Sequence, residues 1–211
     1  MSIRDITPRI SPRIAVWPGD VPFSRDETCA FATGANLDLS AIRTTVHLGA
    51  HTDAPSHYLP HGVGIHAREL TPYLGLCEVV VVSVGRGERI TPDHLSGPPR
   101  APRVLFATGT FPDPNTFNED FAALSPALVD WLADQGVVLV GIDTPSVDLC
   151  RDAALLSHQA IGRRDLSILE GIVLTGVEPG LYNLVALPLP IEGADASPVR
   201  AVLLPPTAGL G

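Results

Sequence analysis

Residues 47–57 read HLGAHTDAPSH, a run that brings His47, His51, Asp53 and His57 close together in the chain. Imidazole nitrogens and a carboxylate are the donors that suit a zinc or manganese ion. Thr44, Thr45 and Val46 are β-branched and Gly49 and Pro55 break helices, so the segment is predicted to be extended or looped, not helical. On a strand these four residues share parity and face one way. A straight strand, however, holds residues four apart at roughly 13 Å, too far to share an ion whose ligand bonds are about 2 Å. The chain must therefore bend after His47, and Gly49 is where it can. Any one of these side chains alone would read as a polar strand edge. The cluster with its bend reads as a divalent-metal site containing His47, His51 and Asp53.

His61, His66 and His94 lack such company and read as solvated or locally bonded, the first two at most standing behind a ligand. Asp143 ends the apolar run VVLVGID, at the strand end where open α/β sheets place their ligand crevice. It could support the site from behind or cap a turn at Thr144 and Pro145, and the residues leave both open.

Those side chains need a sheet to carry them. β-branched and apolar runs bounded by Gly and Pro predict strands over 78–84, 104–108, 137–142, 181–187 and 199–204. Ser125 followed by Pro126 is an N-cap with proline at the first helical position, and ALVDWLADQ then runs apolar at helical spacing to Gly136. This helix lies between two runs that look buried on both faces, which predicts a βαβ crossover with parallel strands. The class is α/β with a dominant sheet, the other strands joining a mixed sheet or a barrel-like second layer.

With 211 residues, 45% of them hydrophobic and 18% charged, the chain is predicted to fold as one domain over residues 1–211, with a core that needs no disulfides. The formal charge of −9 argues against nucleic acid or an anionic membrane as a partner. Cys29, Cys77 and Cys150 are odd in number and far apart, with no CxxC pair, so neither a disulfide framework nor a thiolate site is expected. The N-terminal MSIRDITPRI lacks a signal-peptide core, and VVVVSV and GVVLVGI are too short to span a bilayer. A soluble cytoplasmic protein is expected.

HLGAHTDAPSH resembles the HxGxHxDxPxH signature of the cyclase-like metal hydrolases, and within them the bacterial kynurenine formamidase (arylformamidase) branch. WPGD at 17–20, GIDTPSVD at 141–148, HQAIGRRDLSILEG at 158–171 and ALPLPIEGADASPVRAVL at 186–203 agree in order, so the resemblance covers nearly the whole chain. Ala50 stands where the broader family usually has Thr, a departure that touches no proposed ligand and favours the formamidase branch.

The resemblance implies a swivelling β/β/α domain with a strand-rich mixed sheet and flanking helices, usually a homodimer. It implies His47, His51, Asp53, His158 and Glu170 as ligands of two divalent metal ions, zinc or manganese, with Asp53 and Glu170 shared between them. His57 would be the catalytic acid/base and Trp17 a substrate contact. The implied reaction is hydrolysis of N-formyl-L-kynurenine to L-kynurenine and formate. Another cyclase-like hydrolase or lyase acting on a different amide, lactam or carbonyl compound is the alternative, and a structural metal site without catalysis a third reading. Glu170 lies in the apolar stretch SILEGIVL, where a buried carboxylate requires a partner that a metal can supply.

Overall fold

The computed structural model describes residues 3–207. Its strands are β1 (Arg4–Asp5), β2 (Ser24–Cys29), β3 (Leu39–Arg43), β4 (His51–Asp53), β5 (Leu74–Val81), β6 (Arg89–Ile90), β7 (Arg103–Ala107), β8 (Ala123–Leu124), β9 (Leu139–Ile142), β10 (Ser167–Leu169), β11 (Gly180–Val185), β12 (Ala196–Pro198) and β13 (Val202–Leu204). Its α-helices are α1 (Pro55–Tyr58), α2 (Pro126–Asp134) and α3 (Leu156–Arg164). A seven-stranded mixed sheet runs β1-β13-β11-β5-β7-β9-β10. Strands β5, β7, β9 and β10 are parallel neighbours, while β11 and β13 join antiparallel.

The predicted βαβ unit is β7-α2-β9, with Val104 beside Val140 and Phe106 beside Ile142. Ser125 caps α2, its hydroxyl accepting the Leu128 N–H at 3.1 Å. Alternation along the parallel strands sends Val104, Phe106, Val140, Ile142 and Ile168 against α2 and α3, where Leu128, Leu132 and Ile161 meet them. Leu105, Leu139 and Leu169 point to the opposite face and pack with Ile6, Tyr73 and Ile172. Strands buried on both faces are what the unbroken apolar runs require. Each fully buried Leu or Ile contributes about 1.5–3 kcal/mol relative to exposure.

Strand limits differ from the sequence reading where pairing, not hydrophobicity, sets them. β5 starts at Leu74 because its ladder with β11 begins at the Leu74–Val185 pair. The run predicted as a strand over 199–204 is divided: the Val199 N–H bonds to the Ala50 carbonyl at 2.9 Å, and only Val202–Leu204 joins the main sheet. In place of a second barrel-like layer there are three short two-stranded ladders, β2-β3, β4-β12 and β6-β8. Among the described residues no helix is long and apolar enough to cross a membrane.

Candidate active site

The bend expected after His47 is made at Gly49, whose φ of 56° is left-handed. β4 follows and pairs antiparallel with β12, setting Asp53 opposite Ala196 and His51 opposite Pro198. His51 also forms a reciprocal backbone pair with Glu170, N–H to carbonyl at 3.1 and 2.9 Å, which brings the end of β10 alongside. That approach requires Gly171: a Cβ there would lie 2.1 Å from the Gly49 carbonyl oxygen. His158 comes from the first turn of α3, and His57 from the single turn α1 opened by Pro55.

The donor atoms converge. His51 Nδ1 lies 2.9 Å from the Gly49 carbonyl and donates to it, so Nε2 presents its lone pair, 3.1 Å from Glu170 Oε2 and 3.5 Å from Asp53 Oδ1. His158 Nδ1 lies 2.8 Å from Asp148 Oδ2, and Nε2 faces Asp53 Oδ2 at 3.3 Å and Glu170 Oε1 at 3.7 Å. His47 adds Nδ1 at 3.1 Å from Asp53 Oδ1. Among the described residues buried Asp53 Oδ1 accepts no hydrogen bond of good geometry, although His47 Nδ1 lies 3.1 Å from it. Lone pairs of nitrogen and oxygen facing one another in a buried site repel unless a positive charge lies between them. A proton on the rings or a metal cation supplies it, and this donor set, all nitrogen and oxygen without thiolate, fits a hard or borderline divalent ion. One ligand atom from each of His47, His51 and Asp53 falls within a 4.8 Å group, and so does one from each of Asp53, His57 and His158.

The electrostatics follow from this crowding. Burial opposes charge on His47 and His158, but the Asp53 and Asp195 carboxylates around the first raise it to about 9, and Asp148 and Asp53 raise the second to about 10. Burial also opposes ionisation of Asp53, yet His158 and His47 hold its carboxyl well below the usual range.

Above these groups opens a cavity of about 720 Å³. His47, His51, His57, His158 and Glu170 form its floor, and Trp17, Phe111 and Phe117 are in its wall. Trp17 stacks edge-on against Phe117 at 5.5 Å and Phe121 at 6.1 Å. The family resemblance thus pointed to Trp17 but not to its aromatic neighbours, which carry no spacing signal.

Residues 4–149 match the Cyclase family. The chain belongs to that family. It is 42% identical over 203 residues to a kynurenine formamidase of Bordetella petrii, an alignment covering 94% of this chain and 96% of the relative. The kynurenine formamidase of Bordetella pertussis matches at the same identity and coverage. A predicted metal-dependent hydrolase from Bacillus stearothermophilus has a similar structure, with TM-score 0.79 and 26% identity over 96% of this chain and 97% of that one.

Within this cyclase fold every site residue named from the sequence or its family resemblance, namely Trp17, His47, His51, Asp53, His57, His158 and Glu170, lies at one cavity or directly beneath it. Two acidic residues were missed. Asp195, one residue before β12, places Oδ2 3.0 Å from His47 Nε2 and 3.2 Å from His57 Nδ1. Asp148 accepts from His158 Nδ1 and is itself held by Arg89 at 2.8 Å. Both lie inside stretches that carried the family resemblance, which was the available signal. Of the other histidines, His66 accepts from the Gly193 N–H at 3.3 Å, His94 closes a capping box with Thr91, and His61 is exposed. None of the three lines the cavity.

Proposed function

We propose that this chain hydrolyses N-formyl-L-kynurenine to L-kynurenine and formate with the help of two divalent metal ions per subunit, zinc or manganese. The observation that carries the reading is the buried Asp53 Oδ1, crowded by imidazole nitrogens at 3.1 and 3.5 Å beneath an aromatic-walled cavity, in a chain 42% identical to kynurenine formamidases. His47, His51, Asp53, His158 and Glu170 would hold the ions. When bound, a divalent ion polarises a carbonyl and brings the pKa of water toward about 7.

The chain's own residues do the rest. Trp17 and Phe117 receive the aryl ring, an aromatic contact worth about 0.5–1.5 kcal/mol beyond area burial. His57 is oriented through Nδ1 by Asp195 Oδ2 at 3.2 Å, so its Nε2 can carry a proton to the aniline nitrogen as the C–N bond breaks. That matters because an anilide is a poor leaving group. His51 and His158 are held in one tautomer by the Gly49 carbonyl and by Asp148. Family likeness further supports a single domain over residues 1–211 acting as a homodimer, and three free cysteines fit a cytoplasmic setting.

The test is metal analysis combined with a formamidase assay. Chelation should abolish turnover of N-formyl-L-kynurenine, and zinc or manganese should restore it. Full activity in demonstrably metal-free protein would overturn the reading.

A further inference from the structure

The Asp143 carboxylate takes no part in the donor cluster, yet it lines the same cavity. It follows β9 directly, and its bonds run neither to a ligand nor to the turn at Thr144 and Pro145. The Thr108 hydroxyl donates to Oδ1 at 2.6 Å, and the Thr108 and Gly109 N–H groups donate to Oδ2 at 2.9 and 2.8 Å. Proton direction is fixed along this chain. Because the Thr108 hydroxyl spends its hydrogen on Asp143, the Thr110 hydroxyl must donate to Thr108 at 2.8 Å, while itself accepting the Ala122 N–H at 2.9 Å. These donors orient the carboxylate and favour its anion, while burial pushes the Asp143 carboxyl above its ordinary value.

All of those donors are neutral. Among the described residues Asp143 makes no ion pair, and no Arg or Lys lines the cavity, whereas Asp20 adds a second carboxylate to its wall. Trp17, Phe111 and Phe117 line the same space, and aromatic rings can attract cations. A ligand carboxylate would find no Arg or Lys there, only the histidines of the donor cluster, whereas a ligand ammonium would find an oriented carboxylate with no ion-pair partner among the described residues.

We infer that Asp143 receives a substrate ammonium group, so that the cavity selects aryl formamides bearing a primary amine over those bearing only a carboxylate. This rests on the formamidase reading and deepens it: Asp143 is a specificity residue and takes no part in cleaving the bond. A hydrogen bond to a charged group separates such substrates by roughly ten- to a hundred-fold.

The experiment compares four substrates on the metal-loaded enzyme: N-formylkynurenine, its decarboxylated analogue with the ammonium alone, its deaminated analogue with the carboxylate alone, and formanilide. The ammonium-bearing pair should be used alike, and the deaminated analogue should fall roughly ten- to a hundred-fold in kcat/KM, chiefly through KM. Asp143→Asn should close that gap. Equal or better use of the deaminated analogue by the natural enzyme would overturn the inference without any variant, so a misfolded Asn protein does not blunt the test. A loss shared in proportion by all four substrates in Asp143→Asn would make the residue a brace for the Thr108 loop and overturn it too. Absence of turnover even with formanilide would overturn the formamidase reading itself, an outcome distinct from a changed order among working substrates.

Discussion

His158 Nδ1 and Asp148 Oδ2 lie 2.8 Å apart, both side chains buried, at the first turn of α3. The same carboxylate accepts the N–H groups of Ser157 and His158 at 2.9 Å and an Arg89 N–H at 2.8 Å, so its place is over-determined. Its effect is to point His158 Nε2 at Asp53 and Glu170. Asp148→Asn should weaken metal affinity about 10- to 100-fold, as loss of such an orienting partner does. The variant should also be less stable, because among the described residues Arg89 then keeps just the Asp152 carboxylate. Titration with zinc against a competing chelator measures the first effect and urea unfolding the second; unaltered affinity in a folded variant would remove Asp148 from the metal site.

A pH dependence follows for protein stripped of metal. His47 is raised to about 9 and His158 to about 10, so each binds its proton more tightly folded than unfolded. Their contribution to stability is complete below the unfolded value near 6.5 and is lost as pH rises through about 9 to 10. The metal-free protein should therefore lose stability between about pH 7 and 10, and metal binding at neutral pH should release protons, since a ligand imidazole must be neutral. Denaturation of the stripped protein across this range, and calorimetry in buffers of different ionisation enthalpy, check the two signs. Stability that rises over the interval would contradict the first.

How much of this was legible depended on whether it was local. The 47–57 run shows its chemistry within one segment, and β7-α2-β9 shows its order through Ser125, Pro126 and apolar runs buried on both faces. Glu170 could be placed only by resemblance, because what makes it a neighbour of His51 is a backbone pair between segments distant in the chain. Asp195 was hidden for the same reason: the register that sets Ala196 against Asp53 belongs to a ladder of three residues with no periodic pattern to read. Asp143 was visible as a strand-end acid, but its partner Thr108 sits on the neighbouring strand's exit. Side chains joined by strand register leave no spacing in the sequence.

Trp17 should act on substrate grip alone. It is 36% exposed and leans edge-on against Phe117, with no contact to the donor cluster among its ring interactions. Trp17→Ala should raise KM for aryl formamides several-fold, about what an aromatic contact of 0.5–1.5 kcal/mol supplies, and leave metal content unchanged. Kinetics with parallel metal analysis decide it; loss of metal would mean that the tryptophan wall supports the donors.

His57 and His51 should separate proton transfer from metal binding. His51 is buried, its Nδ1 fixed by the Gly49 carbonyl and its Nε2 turned toward Glu170 and Asp53. His57 sits higher, with 32% of its side chain exposed, and shares Asp195 Oδ2 with His47. If His57 moves a proton, His57→Ala should retain metal and lose about 10² to 10⁴ in turnover, the usual worth of a general acid or base. His51→Ala should lose metal and activity together. Formanilides with strongly electron-withdrawing rings should recover much of the His57→Ala loss, since a better leaving group gains less from protonation at nitrogen, and they should do nothing for His51→Ala. Because His57 also lies within ligand distance of Asp53 and His158, the metal content of the His57 variant is the deciding number. Depletion equal to that of His51→Ala, without rescue by activated substrates, would make His57 a ligand and leave the departing aniline without its acid.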